Sequence, residues 1–181
     1  IRFINGDFEQ QTLSPWESLS AGVSLSASNV HSGKQALELP SGSLTQNTVR
    51  LSPLSSYKLT GWLKTESGSD EVRLRITGLG DNNAETSGTL ASWTKVEIKF
   101  VTGAEQSSAT IEITNSGNAA KNRAWADDLS IEYSGKYVPV APNGIKPLAK
   151  RTPKSVMGIT QQPNSKLDWL LDAKFGMFIH W

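Results

Sequence analysis

The stretch Trp125-Ala126-Asp127-Asp128-Leu129-Ser130-Ile131-Glu132-Tyr133 places acidic side chains inside an apolar alternation. With the period of two that marks a half-buried strand, Trp125, Asp127, Leu129, Ile131 and Tyr133 fall on one face. Leu129 and Ile131 mark that face as the core side. Asp127 shares it, and a carboxylate there is costly unless it is hydrogen-bonded, paired or bound to a metal. Two further acids stand near the other end of the chain, in Asn5-Gly6-Asp7-Phe8-Glu9. Carboxylates from both ends meeting around one cation would tie the first and last segments of a single β domain together. The competing reading makes Asp127 an ordinary buried acid satisfied by backbone amides.

A second set of residues has the chemistry to hold a polyhydroxyl ligand. In 57–64, Tyr57, Leu59, Gly61 and Leu63 share one face, and Lys58, Thr60, Trp62 and Lys64 the other. In 72–77, Val72, Leu74 and Ile76 point inward, which turns Arg73 and Arg75 outward. Trp62, Arg73 and Arg75 thus share the parity opposite to the core and are expected to line one sheet face. An indole stacks on a sugar ring, and guanidinium groups donate to paired hydroxyls. The alternative puts Trp62 under a loop or a neighbouring domain. Trp16 and Tyr57 are second-choice platforms, and Trp93, opening a strand, reads as structural. His31, alone in the turn 30–34, reads as a surface residue.

The elements that must position these groups are short strands. Alternating segments are expected at 2–9, 22–28, 36–39, 44–51, 57–64, 72–77, 93–101, 109–114 and 125–133, with Pro, Gly, Ser and Asn between them. The segment 78–88 reads as a polar loop. No amphipathic helical period appears before residue 160. Such spacing indicates an all-β fold, a β-sandwich, and a jelly roll brings its first and last strands together. The chain has 181 residues, no cysteine and a formal net charge of +1. These features exclude a disulfide framework and thiol catalysis, and they argue against nucleic acid as a general partner. No run approaches a membrane span.

Charge and proline usage break near Ser134-Gly135. Residues 1–135 carry a net charge of about −4, and residues 136–181 about +5. Five of the eight prolines lie between Pro139 and Pro163. The sequence therefore divides into a sandwich at 1–135, a proline-punctuated linker at 136–164 and a distinct segment at 165–181. In that last segment, Ser165 with Asp168 fits a capping box for a short helix bearing Leu167, Leu170 and Leu171. The apolar Lys174–Trp181 then reads as a buried strand.

Two resemblances sharpen this reading. NGDFE, VHSGKQALEL, YKLTGWLK, SWTKVEIKF and WADDLSIEY, in that order over residues 3–133, resemble the landmarks of calcium-binding jelly-roll carbohydrate-binding modules. The resemblance implies a structural Ca2+ held by Asp7, Glu9 and Asp127, with the Lys34 turn contributing a backbone oxygen. Hard cations of this kind take six to eight oxygen ligands. It also implies glycans as partners, bound through Trp62, Arg73 and Arg75. The string LDWLLDAKFGMFIHW resembles the first helix and first barrel strand of α-L-fucosidases of glycoside hydrolase family 29. That likeness implies the start of a truncated (β/α)8 barrel, in which His180, at the carboxyl end of the strand, would contact fucose. No residue of this chain matches the family's catalytic carboxylates. The two likenesses together imply a non-catalytic module of a secreted, periplasmic or cell-surface bacterial-type fucosidase, positioned on fucosylated glycans. A sandwich that braces the barrel without binding sugar is the alternative.

Overall fold

The computed structural model describes residues 3–66, 71–117 and 122–139. Within them the chain forms β1 (Glu17–Ser18), β2 (Ser24–Ser26), β3 (Ala36–Pro40), β4 (Leu44–Arg50), β5 (Ser55–Thr65), β6 (Val72–Thr77), β7 (Ala84–Gly88), β8 (Thr94–Val101), β9 (Ser108–Asn115) and β10 (Arg123–Lys136). A 3-10 turn covers Gly80–Asn82. Two five-stranded antiparallel sheets result: sheet one in the order β1-β4-β9-β6-β7, and sheet two in the order β2-β3-β10-β5-β8. This is the expected all-β jelly-roll sandwich. The expected helix and strand of 165–181, His180 included, lie outside the described residues.

The core follows from the alternation. Leu37, Leu39, Leu59 and Leu63 of sheet two meet Val72, Leu74, Ile76, Ile111 and Ile113 of sheet one, all fully buried. Each such side chain contributes about 1.5–3 kcal/mol of hydrophobic stabilisation. Tyr57 belongs to this core, 1% exposed and stacked on Phe100. Trp16 is 4% exposed and packs on Phe8 with ring centroids 5.4 Å apart. Neither ring can therefore serve as a sugar platform.

Three local expectations change. Residues 3–9 form no strand, because Asn5 and Phe8 both adopt φ of 54°, which no extended strand accommodates. Side-chain bonds organise the segment instead. Asn5 Nδ2 donates to the carbonyls of Thr12 and Ser14, and Trp16 Nε1 donates to the Asn5 carbonyl. The polar segment 78–88 contains β7, an edge strand whose sequence Ala-Glu-Thr-Ser-Gly offers no apolar alternation. Polar edge strands of this kind discourage further strand pairing.

The third change lies in β10. Its pairing with β5 runs Trp125↔Lys64 and Asp127↔Trp62, breaks, and resumes at Ser130↔Thr60. Asp128, at φ 49°, sits inside this bulge. The extra residue reverses the parity of Leu129 to Tyr133, up to a second register shift before Gly135. Trp125 and Asp127 therefore lie on the outer face of sheet two, while Leu129 and Ile131 lie on the inner face. Asp127 does not share the core face; it is fully buried because the 29–34 loop covers it.

The bulge also fixes the N-terminal segment, since Leu129 N donates to the Gly6 carbonyl at 2.8 Å. A Cβ at Gly6 would run into the Leu129 carbonyl oxygen and the Phe3 ring. Because one colliding atom is backbone, Gly6→Ala should cost about 1–3 kcal/mol, as overpacking does. Thermal unfolding would show this as a melting temperature lower by several degrees; an unchanged value would exclude the close approach.

Candidate functional site

Two surfaces carry the residues that the sequence singles out. The first lies over sheet two, where β10 and the 31–35 turn meet. Asp127 Oδ2 accepts the N–H groups of His31 (3.0 Å) and Ser32 (3.2 Å), and its Oδ1 accepts that of Asp128 (2.8 Å). Burial pushes the Asp127 carboxyl up, against the pull of these three amides. From the other side of the turn, Glu9 Oε1 accepts the N–H groups of Lys34 (2.7 Å) and Gln35 (2.9 Å). These amides hold the Glu9 carboxyl below the ordinary range, while partial desolvation and the Asp128 charge oppose them. Gly33 makes the grip possible: it takes φ of 66°, and any side chain there would collide with the Glu9 carboxylate. Asp7 stays exposed, and its Oδ1 accepts the Glu9 N–H at a long 3.4 Å.

The backbone-amide reading of Asp127 is thus what the geometry displays. The turn brings the Glu9, Asp127 and Asp128 carboxylates into one neighbourhood, a donor set suited to a hard cation. Among the described residues, however, no three His, Asp or Glu side chains close around a point as ligands would.

Asp128 is the residue that sequence reasoning passed over. Its Oδ1 accepts the Ser32 hydroxyl at 2.9 Å, and its Oδ2 lies 2.6 Å from His31 Nδ1, which donates to it. The imidazole so held stacks on Trp62, with centroids 3.8 Å apart and planes 18° apart, and meets Trp93 edge-on at 5.7 Å. His31 is therefore half-buried rather than a free surface residue, and it covers one face of the Trp62 indole. The only signal in the sequence was the doublet of acids in β10.

The second surface is the outer face of sheet one. Arg73 and Arg75 lie here, on β6, whereas Trp62 is on β5 in sheet two. The three do not share a sheet face, because side-chain parity gives inside or outside but not which sheet. Register places Glu17, Gln46, Glu112, Arg75 and Glu85 in one transverse row across all five strands. The row is loosely bonded. Gln46 Nε2 reaches Glu17 at 3.4 Å, and Arg75 reaches Glu85 at 3.5 Å and Glu112 at 3.8 Å. Beside it run Thr48, Thr110 and Thr77, the last donating to Glu112 Oε1 at 3.2 Å. Arg73 reaches Glu71 only at 3.8 Å, and its buried Nε has no hydrogen-bond partner among the described residues. Such a face offers donors and acceptors in alternation, none held tightly, as hydroxyl recognition requires.

The sequence profile described as "Carbohydrate binding domain" matches residues 2–121. The chain belongs to this carbohydrate-binding family. Among solved structures, the module resembles TmCBM61 in complex with β-1,4-galactotriose (21% identity, 72% of this chain and 97% of that one, TM-score 0.60). It also resembles the CBM22-1 xylan-binding domain of Paenibacillus barcinonensis Xyn10C (19% identity, 71% and 91% coverage, TM-score 0.56). At these identities the likeness shows the fold. A keratan-sulfate endo-1,4-beta-galactosidase of Sphingobacterium multivorum is 25% identical over 111 residues, 60% of this chain and 26% of that protein. The tRNA nuclease WapA of Bacillus subtilis strain 168 is 29% identical over 167 residues, 75% of this chain but 7% of that protein. The module thus spans about a quarter or less of these relatives.

Asp127 provides a test of the turn. Its raised carboxyl pKa means that folding favours the protonated form, so its ionisation costs stability. That cost grows as pH rises from the ordinary aspartate value near 3.9 through the folded value. Asp127→Asn should remove this acid-range slope. It should also lower stability at neutral pH by about 1–3 kcal/mol, because an amide cannot accept all three N–H groups. Urea unfolding at several pH values reads both effects; a parallel, unshifted profile would refute the assignment.

Proposed function

We propose that the module binds neutral glycan chains along the outer face of sheet one, with Arg73 and Arg75 as the principal hydrogen-bond donors. The single observation that carries this reading is the transverse polar row Glu17–Gln46–Glu112–Arg75–Glu85, flanked by threonines and by the loosely paired Arg73 guanidinium. Each guanidinium already has a carboxylate within 4 Å. The face is therefore charge-compensated, which favours hydroxyls over sulfate or carboxylate groups. The galactotriose complex of TmCBM61 supports a neutral glycan as the ligand class, and the name of the keratan-sulfate endo-1,4-beta-galactosidase supports glycans only in general. Trp62 enters this reading as a support for His31 rather than as the platform.

On the likeness of LDWLLDAKFGMFIHW to fucosidases, we further propose that the parent protein is a secreted α-L-fucosidase. The module would position that enzyme on fucosylated glycans, and His180 would contact fucose. The bracing alternative predicts no sugar affinity. A structural Ca2+ at Asp7, Glu9, Asp127 and the Lys34 turn is proposed on the crowding of acids there, which a cation would offset.

Three outcomes are expected. Titration calorimetry with galacto-, xylo- and fucosyl-oligosaccharides should show Arg73→Ala and Arg75→Ala each losing about tenfold in affinity or more, the scale of one charge-assisted hydrogen bond. Melting temperature should barely move, since exposed ion pairs contribute about 0–1 kcal/mol. Trp62→Ala should lower the melting temperature and leave affinity intact; the reverse pattern would move the site to sheet two. Ca2+ at a hundredfold excess over its Kd should stabilise the module by about 2.7 kcal/mol, and a chelator should reverse this. Identical melts with and without Ca2+ would remove the ion.

A further inference from the structure

A cavity of about 560 Å³ opens at the margin of the sandwich, beside the β7 end of the sheet-one face. It forms where β8, the last strand of sheet two, faces the 3-10 turn and β7, the last strand of sheet one. The exposed wall is mostly apolar, with Tyr57 and Phe100 among its lining residues. Besides Ser56 and Ser134, two lysines and two asparagines line it: Lys58 and Lys99, directly opposed on β5 and β8, and Asn82 and Asn83 at the turn. No acid lines it.

The polar groups differ in how firmly they are engaged. Lys58 is held by Glu132 at 2.7 Å. Lys99 is 81% exposed and only 3.5 Å from Glu97, a loose contact. Asn83 spends its Oδ1 on the Leu79 N–H at 2.8 Å, which leaves its Nδ2 to donate elsewhere. Asn82 is half-buried, and its side chain makes no hydrogen bond among the described residues. The cavity therefore combines an apolar floor with a rim of uncommitted amide and ammonium donors.

We propose that this margin cavity is a second carbohydrate subsite, which takes one terminal neutral hexopyranose unit of the glycan that lies across sheet one. A pyranose is amphipathic in the matching sense: its C–H face suits the apolar wall, and its hydroxyls accept from the rim. The volume falls within the range of small-molecule sites, about 300–1,000 Å³. An aromatic side chain of a partner protein would fill the space but leave the amides and the ammonium facing apolar surface, at a desolvation cost. Position supports the same ligand. The polar row of sheet one ends on Glu85, and the next residue toward the turn, Ala84, lines the cavity. A chain following the row thus arrives at the cavity mouth, and the end of the chain is the part that can enter.

The proposal rests on the module binding glycan, and the test separates the two. The probes are methyl β-D-galactoside, β-1,4-galactotriose, and xylo- and fucosyl-oligosaccharides, titrated into the whole chain and followed by calorimetry and amide NMR. For the oligosaccharide that binds tightest, the double variant N82A/K99Q should weaken affinity about fivefold or more, a change equivalent to about 1 kcal/mol. Its melting temperature should match the wild type, since neither side chain carries packing. The monosaccharide should shift the amides of 82–84 and 99–101 in the wild type and not in the double variant. Wild-type affinity in N82A/K99Q, alongside weakened binding in R75A, would overturn the subsite while leaving the sheet-one reading intact. Shifts at 82–84 with indole but with no sugar would overturn it in favour of a protein partner. Absence of binding to every sugar would overturn both.

Discussion

The bulge in β10 is the constraint on which the rest of the molecule depends. β10 is the central strand of sheet two, paired with β3 on one side and β5 on the other. One extra residue, Asp128 in a left-handed conformation, lets a single strand serve two roles. Before the bulge it sends Trp125 and Asp127 outward, and after it Leu129 and Ile131 inward. Without that reversal either Asp127 would enter the apolar core or Leu129 and Ile131 would face water. Both alternatives cost several kcal/mol.

Having been turned outward, Asp127 is not exposed, because its carboxylate gathers the amides of the 31–35 turn. Glu9 seizes the same turn from the N-terminal side, and Asp128 fixes the His31 ring that caps Trp62. The first residues of the domain, the turn after β2 and the last strand are thereby joined by carboxylate–amide bonds, which are short and charge-assisted. These bonds span 25 residues for Glu9–Lys34 and 96 for His31–Asp127. They hold in place the distant ends of a topology built mostly from long-range pairing.

Sheet one shows the opposite economy. Its outer face has few short side-chain hydrogen bonds, and its arginines reach their carboxylates only at 3.5–3.8 Å. A face that does not satisfy itself has hydrogen-bonding capacity left for a ligand. The contrast between a tightly bonded sheet two and a loosely bonded sheet one is what the proposed binding surface rests on, more than residue type. Trp62 illustrates the point: an aromatic suited to sugar stacking has its face taken by His31.

The sequence by itself determined the strands from β2 to β6 and β8 to β10, the all-β class and the inward residues of β5, β6, β8 and β9. These depend on local alternation, which is written residue by residue. It also pointed to Glu9, Lys34 and Asp127 as neighbours of one turn, through the likeness of their motifs to a known module. Tertiary structure alone decided three matters. It assigned Arg73 and Arg75 to one sheet and Trp62 to the other, since a period of two distinguishes faces and not sheets. It placed Trp16 and Tyr57 in the core, because an aromatic ring suits a ligand platform and a packed interior equally until its neighbours are known. And it turned Asp127 to the outer face, because a bulge changes the count by one residue without changing the composition. The strand β7 was illegible for a related reason: an edge strand packs little of its own surface, so its hydrogen-bonded partner β6 defines it and its side chains do not.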